Sequence, residues 1–314
     1  MRYLIISLLF IINLNADILK PTFIYEGSGG VTDLVYKDAK LYAGTAEGVV
    51  DIYDTKEKKL IQSIKVPNIK DFVGDEIASK IYSVDILANK IMIVSQGKMG
   101  YRRVHIYEND KLNKVISVQD QYTIAKAKFV DENHLLIALL SNEVILYSLK
   151  DKKAIYRVQV SASKFSNFAL NEKKDEFILA DESGELSLMS VKDGKTIQIF
   201  KGQNVDNIFQ VDFKNNTFIT AGQDRRAAIY HKNATNAYYK NASFLIYSAA
   251  LSPSAKIGAY AIDENNNVVL FNTQSKSDLF TLGSHKATLT NILFINEKEL
   301  FTASDDNHIN YWSL

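Results

Sequence analysis

The sequence predicts an all-β fold, a seven-bladed β-propeller, and three observations support this prediction. First, a short pattern recurs seven times: a β-rich run, a polar turn, and a second β-rich run that ends in a large residue. Second, the copies from the second onward follow one another at intervals of about 41 residues. Third, no stripe of apolar residues at helical spacing lies inside the repeat. A period of this length built only from strands is typical of a four-stranded propeller blade.

The ends of the second runs define seven anchor residues. They are Tyr53, Tyr107, Tyr147, Met189, Tyr230, Phe271 and Trp312, at steps of 54, 40, 42, 41, 41 and 41 residues. A small residue stands nine positions before the anchor in five copies: Gly44, Ala138, Ala180, Ala221 and Ala303. Because blades converge on a central axis, the strands near it have little room, and small side chains are expected there.

The turns between the two runs carry residues suited to tight turns. Glu47-Gly48, Ser183-Gly184 and Asp306-Asn307 supply side chains that bond their own backbone or tolerate a positive φ. For the same reason the tandem acids Asp305-Asp306 are interpreted as turn residues rather than as a catalytic pair.

The first residues after the N-terminal apolar stretch are predicted to close the ring. The last anchor lies two residues before Leu314, so the seventh blade lacks an outer strand. The segment 22–27 resembles the outer strands at 196–202 and 278–283, and it should complete the seventh blade. This pairing would cover two exposed sheet edges. Deletion of residues 17–27 should therefore destabilise the whole ring.

The N-terminus is predicted to be a cleavable signal peptide. Residues 1–16 combine a basic head, a short apolar run and a small residue at the expected cleavage site, Ala16. The alternatives are a membrane anchor or a buried first strand, although the run is too short to span a bilayer. We expect residues 17–314 to form one domain. The richness in Lys, Asn and Ile indicates a bacterial protein, and export then means the periplasm.

Composition excludes several classes of function. The chain contains no cysteine, which rules out disulfides, a lipid anchor on cysteine, thiolate metal sites and cysteine nucleophiles. The 37 basic and 36 acidic residues give a formal net charge of +1, so a nucleic-acid partner is not indicated. No two of the five histidines have the spacing of metal ligands within one element. We therefore predict no cofactor and no metal, and expect protein partners.

One copy of the repeat resembles a known family. The segment 301–312 resembles the second strand, turn and third strand of a WD40 repeat, and Gly283-Ser284-His285 resembles the Gly-His element of that family. The resemblance implies that His285 makes hydrogen bonds inside its own blade. The other copies are degenerate; Tyr53-Asp54 replaces Trp-Asp in the first. The overall pattern is also similar to accessory proteins of the NapL type, which serve the bacterial periplasmic nitrate reductase, and this implies a helper role in nitrate respiration.

The first interval between anchors indicates a candidate binding surface. The step from 53 to 107 exceeds the period by about 13 residues. We assign the excess to the connection 66–76 and to the turn 96–103, which emerge on the same face of a propeller. Lys98, Tyr101, Arg102 and Arg103 lie in that turn, and Tyr and Arg are enriched at binding hot spots. Phe72 would be an apolar anchor; the alternative is a tolerated insertion without a role.

A second candidate is the pair Arg225 and Arg226 at another turn. Two arginines could clamp a carboxylate or a phosphate, or they could form surface salt bridges of little energetic value. The leading functional prediction is a periplasmic protein-interaction scaffold that is not an enzyme. The alternatives are a propeller enzyme, such as a quinoprotein dehydrogenase or a metal-dependent lactonase, and an outer-membrane assembly scaffold.

Overall fold

The computed structural model describes residues 18–314 and contains seven sheets arranged around an axis, six of four strands and one of five, together with a small two-stranded hairpin. The predicted signal peptide, residues 1–16, lies outside the described residues. The first strand of each sheet contacts the first strand of the next, and the seventh contacts the first, so the ring is closed. In the part of the chain that is described, no helix is both long and apolar enough to cross a membrane.

The strands follow one another in chain order, and each blade runs outward from the axis. Strands β1 (Ile18–Leu19) and β2 (Phe23–Glu26) precede the first blade. Blade 1 contains β3 (Val31–Lys37), β4 (Lys40–Thr45), β5 (Val49–Asp54) and β6 (Lys59–Lys65). A small hairpin follows, β7 (Ile69–Lys70) and β8 (Glu76–Ile77). Blade 2 contains β9 (Ile81–Leu87), β10 (Lys90–Gln96), β11 (Arg102–Glu108) and β12 (Lys111–Ile116), and a 3₁₀ turn (Val118–Asp120) leads out of it.

The next five blades repeat this order. Blade 3 contains β13 (Ile124–Asp131), β14 (His134–Leu139), β15 (Glu143–Ser148) and β16 (Lys153–Gln159). Blade 4 contains β17 (Phe165–Leu170), β18 (Glu176–Asp181), β19 (Leu186–Ser190) and β20 (Thr196–Phe200). Blade 5 contains β21 (Ile208–Lys214), β22 (Thr217–Gly222), β23 (Arg226–His231) and β24 (Tyr238–Asn241). Blade 6 contains β25 (Ala249–Leu251), β26 (Ile257–Ala261), β27 (Val268–Asn272) and β28 (Asp278–Leu282), and blade 7 contains β29 (Leu289–Phe294), β30 (Glu299–Ser304) and β31 (His308–Ser313).

Ring closure by the N-terminal segment is confirmed. Strand β2 pairs antiparallel with β31 and becomes the outer strand of blade 7. Tyr25 of this strand is buried and packs edge-on against Tyr53 and Phe301, at ring-centroid distances of 5.1 and 6.0 Å. The sequence did not predict a second contact: β1 adds to the outer edge of blade 6 in parallel with β28. The N-terminal segment therefore bridges the last two blades.

The hydrophobic core lies between the blades rather than at one centre. Most of the clusters of buried side chains combine residues of two adjacent blades, and one spans blades 5, 6 and 7. The predicted small residues stand at these interfaces. A Cβ atom on Gly44 would lie 2.8 Å from Cγ2 of Ile81 and 2.9 Å from Cγ2 of Val84, both in blade 2. A larger side chain there would push neighbouring blades apart.

His285 has the structural role that the resemblance implied. It is buried in blade 7, and its Nδ1 lies 2.9 Å from Oγ of Ser304, which donates to Asp306. Its Nε2 lies 2.6 Å from Oγ1 of Thr302, and that oxygen accepts a hydrogen bond from Nε1 of Trp312. Burial lowers the pKa of His285 to about 4, so the imidazole is neutral. The ring can then donate through Nδ1 and accept through Nε2, which satisfies both nitrogens.

Candidate functional site

The two enlarged connections of blade 2 lie side by side on one face, as predicted. We define the blade 2 platform as residues 66–80 and 96–103. The backbone N–H of Gln96 donates to the carbonyl of Lys80 at 2.8 Å, which joins the two segments at their base. Nη2 of Arg103 donates to the carbonyl of Pro67 at 2.7 Å and to Oγ of Ser79 at 2.6 Å. The platform is thus one connected structure rather than two independent loops.

A rigid turn presents Phe72 to solvent at the tip of the hairpin β7–β8. One carboxylate oxygen of Asp71, Oδ1, accepts the backbone N–H groups of Val73, Gly74 and Asp75 at 2.9 to 3.0 Å. Gly74 takes a φ of 101°, which an L side chain rarely adopts. The side chain of Phe72 is 99% exposed. The adjacent Val73 is 66% exposed, and exposed apolar side chains that lie together are typical of contact surfaces.

The second segment of the platform adds another exposed apolar side chain. Met99 is 90% exposed at the tip of the turn, between the exposed Lys98 and Gly100. Tyr101 is half-buried and closes the turn, because its N–H donates to the carbonyl of Lys98 and its carbonyl accepts from the N–H of Gly97. Lys98 is therefore free to contact a partner, and Tyr101 supports the turn.

The two arginines of the platform are engaged inside the fold. The guanidinium of Arg102 stacks on the ring of Tyr82, 3.4 Å from its centroid, and Nη1 donates to the carbonyl of Ile124. Arg103 braces the two segments as described above. Burial lowers the pKa of both guanidinium groups, although neither loses its charge near neutral pH. These contacts give both side chains a structural role.

The pair Arg225 and Arg226 does not converge on one point. Arg225 is exposed at the turn of blade 5. Arg226 is half-buried; its Nη1 donates to the carbonyl of Gln203 at 2.9 Å, and its guanidinium lies 4.4 Å from the ring centroid of Tyr239. The two arginines also lie three blades away from the platform. The structure thus brings together the predicted residues of blade 2 and leaves those of blade 5 apart.

The innermost strands line the central channel, a cavity of about 580 Å³, and sequence reasoning missed the polar residues along it. In six blades the innermost strand begins with an apolar residue and its third residue is polar, and in blade 6 the equivalent segment, residues 246–248, lies directly before β25. We call these seven third residues the polar ring: Asp33, Ser83, Lys126, Asn167, Gln210, Ser248 and Asn291. In six blades a β-bulge at the second residue shifts the register just before the ring. A β-bulge changes the direction in which nearby side chains point. The second residues of all seven segments line the cavity.

The polar ring links neighbouring blades. Oδ2 of Asp33 accepts the N–H of Val84 at 2.8 Å, and Oγ of Ser83 donates to the carbonyl of Ala127 at 3.0 Å. Oε1 of Gln210 accepts from Oγ of Ser248 at 2.7 Å. These bonds satisfy buried polar groups across blade boundaries, so the ring stabilises the closed arrangement around the channel.

The polar ring has a sequence signal that could have revealed it. The pattern apolar–any–polar–apolar recurs in all seven copies, at the start of the innermost strand in six blades and directly before it in blade 6. The copies are Val31–Leu34, Ile81–Val84, Ile124–Ala127, Phe165–Phe168, Ile208–Val211, Ile246–Ala249 and Leu289–Ile292. The pattern lies upstream of the anchor-based repeat, which begins in the second strand. Alignment of the copies by their first strands would have shown it.

The histidines and acids do not assemble a metal site in residues 18–314, where no three His, Asp or Glu side chains are placed to hold an ion. The channel acids have other partners. Oδ2 of Asp85 accepts the N–H of Phe129 at 2.7 Å, and Oδ2 of Asp212 accepts the N–H of Leu251 at 3.0 Å. Each carboxylate holds the innermost strand of the next blade.

The closed ring of seven sheets, the N-terminal outer strand and the His285–Thr302–Trp312 network together define a WD40-type seven-bladed β-propeller fold. No family model matches the sequence, and no curated protein matches it. Among solved structures, the chain is similar to the β-propeller domain of Cps50 (Swd1) from Myceliophteria thermophila, with a TM-score of 0.74. The alignment covers 94% of this chain and 99% of that domain at 14% sequence identity, so the likeness concerns the fold.

Proposed function

We propose that this protein is an interaction scaffold that binds a protein partner through the blade 2 platform. The exposure of Phe72 on an ordered turn is the observation that supports this most directly. Transfer of such a side chain from water into a partner's pocket stabilises a complex by about 1.5–3 kcal/mol. A propeller fold commonly serves as a scaffold for protein interactions, since its loops are held by a rigid ring.

The partner should offer an apolar pocket for Phe72 and a polar or acidic rim. Lys98 projects from the platform beside Met99 and is free to meet an acidic group. The nearly balanced charge of the chain gives no reason to expect nucleic acid. We further propose that the protein acts in the periplasm as an accessory to a respiratory enzyme such as nitrate reductase. The signal-like residues 1–16 and the resemblance to accessory proteins of the NapL type support this assignment.

The proposed role is binding rather than catalysis. A metal-dependent lactonase would use acids at the axis. In residues 18–314 the four acids that line the channel each accept a backbone N–H of the next blade: Asp33, Asp85, Glu172 and Asp212. This arrangement supports a structural use of these carboxylates.

The test is co-purification of the tagged chain from its native host, with quantitative mass spectrometry of the bound proteins. Phe72→Ser should lower the yield of the principal partner at least about ten-fold, which corresponds to about 1.4 kcal/mol. Leu60→Ser is the matched control, because Leu60 is 51% exposed on the outer strand of blade 1. Equal yields from the Phe72 variant and the unchanged chain would refute the platform assignment. Arg102→Ala with Arg103→Ala is a poorer test, since both arginines also hold the fold together.

The proposed location has a separate test. Fractionation of the host, with N-terminal sequencing of the recovered protein, should find it in the periplasm with Asp17 as its first residue. A cytoplasmic protein that retains Met1 would refute the periplasmic part of the proposal and leave the platform to be tested on its own.

A further inference from the structure

The central channel holds an ammonium group without a carboxylate partner. Nζ of Lys126 donates to Oδ1 of Asn167 at 2.9 Å and lies 5.4 Å from the ring centroid of Phe168. Among the described residues, no carboxylate oxygen lies within ion-pairing distance, 4.0 Å, of this nitrogen. One hydrogen bond leaves two N–H groups of the ammonium directed toward the cavity or its water.

The neighbouring carboxylates compensate the charge of Lys126 only in part, because they lie closer to the ammonium groups of Lys128 and Lys214. Nζ of Lys128 donates to the carbonyl of Val84 at 2.7 Å and lies 3.6 Å from Asp33 and 3.9 Å from Asp85. Asp212 lies 3.6 Å from Nζ of Lys214. Burial alone would lower the pKa of Lys128, but the two carboxylates outweigh it and raise that pKa.

The walls around Lys126 combine amides with aromatic rings. Asn167, Gln210 and Asn291 of the polar ring line the same cavity. Phe209 and Tyr247 each lie one position before a residue of the polar ring, and both line the cavity. Their aromatic rings stack, with centroids 5.0 Å apart and planes 21° apart. An ammonium, neutral hydrogen-bonding groups and flat apolar surfaces are the elements of a site for a small organic anion.

We propose that the channel binds a small organic molecule that carries one carboxylate and a planar, largely apolar body. The carboxylate accepts hydrogen bonds from Nζ of Lys126, and the planar body lies against Phe209 and Tyr247. The cavity of about 580 Å³ falls in the range typical of small-molecule sites. A charge-assisted hydrogen bond of this kind is about twice as strong as one between neutral groups. This site is independent of the blade 2 platform.

The protonation of Lys126 supports this proposal. Burial, together with the charge of Lys128, lowers the pKa of Lys126 to about 8, and the charged groups that face it are Lys128, Asp33, Asp85 and Asp212. A bound carboxylate would favour the ammonium form. The affinity should therefore be high at pH 7 and should fall as the pH rises through about 8, because the free protein then loses the proton that the ligand needs.

The experiment measures binding of 4-fluorobenzoate to the full chain by ¹⁹F NMR, with neutral 4-fluorobenzamide as the matched probe. We expect the benzoate to bind at least about ten-fold more tightly than the amide, and Lys126→Gln to weaken benzoate binding by a similar factor. Lys126→Arg should restore binding and remove the loss of affinity between pH 7 and 9.5. Lys201→Gln is the control for net charge, because Lys201 is largely exposed and pairs with Glu185 in blade 4.

The outcomes separate the proposal from its alternatives. Equal affinity of the two probes, or full benzoate binding by a folded Lys126→Gln variant, would overturn it. A Lys201→Gln variant that loses as much affinity as Lys126→Gln would show a general charge effect and would also overturn it. Thermal unfolding of each variant confirms that the ring is intact, and an absence of benzoate binding at about 10 mM in the intact protein counts against the site.

Discussion

Blades 7 and 2 differ in what they bury and what they expose at equivalent positions of the repeat. In blade 7, the segment before the innermost strand buries a polar group, because His285 is hydrogen-bonded to Thr302 and Ser304 at the end of the second strand. In blade 2, the equivalent segment and the turn between the second and third strands are enlarged and expose apolar groups, with Phe72 and Met99 almost fully in solvent. A buried, satisfied polar network fixes the conformation of a blade. An aromatic ring that is almost fully exposed adds no packing to the fold, and this agrees with the proposed contact between Phe72 and a partner.

The largest expected effect on stability concerns the strand that closes blade 7. Tyr25→Ala removes a ring that is 3% exposed and packs on Tyr53 and Phe301, and it should lower the free energy of unfolding by about 3–4 kcal/mol. Ile24→Ala, on the same strand but 42% exposed, should cost less than about 1 kcal/mol. Urea unfolding followed by fluorescence measures both. Similar losses in the two variants would mean that strand pairing alone, and not the buried ring, closes the propeller.

A buried histidine in each of the two blades should make the protein sensitive to acid. Burial lowers the pKa of His285 in blade 7 and of His105 in blade 2 to about 4. Between pH 6.5 and 4 the unfolded chain binds protons that the folded chain does not, so the free energy of unfolding should fall as the pH drops through this window. Each histidine should contribute on the order of 2–3 kcal/mol to this loss.

Substitution of each histidine tests that assignment. Nδ1 of His105 is buried without a hydrogen-bond partner, whereas both ring nitrogens of His285 have partners. His105→Leu should therefore reduce the acid sensitivity at little cost at pH 7. His285→Leu should lower stability at pH 7 by about 2 kcal/mol, because it leaves the hydroxyl groups of Thr302 and Ser304 with fewer partners. An unchanged pH dependence in both variants would assign the acid sensitivity to the carboxylates.

The structural features that follow from the repeat period were predicted from the sequence. The features that depend on the direction in which a side chain points were missed. Seven anchors at regular steps predicted seven blades, and the resemblance of residues 22–27 to other outer strands predicted the closure. The extra length before Tyr107 located the platform. Neither the hairpin β7–β8 nor the contacts of Arg102 and Arg103 could be derived, since residue type does not tell whether a guanidinium points to solvent or back to a carbonyl. The polar ring was missed because the copies were aligned by their second and third strands, whereas its pattern lies in the first strand of each blade.

The smallest expected effect on stability is at the tip of the hairpin β7–β8. Within this hairpin an exposed side chain, Phe72, lies only three residues from a buried one, Ile69. Phe72→Ser should change the free energy of unfolding by less than about 0.5 kcal/mol, because a 99% exposed side chain loses no packing. Ile69→Ala, at the buried base of the same hairpin, should lower it by about 1–2 kcal/mol. Thermal unfolding compares the two variants. A clear destabilisation by Phe72→Ser would show that the ring packs on the protein in solution, and the aromatic would then be part of the fold rather than a contact for a partner.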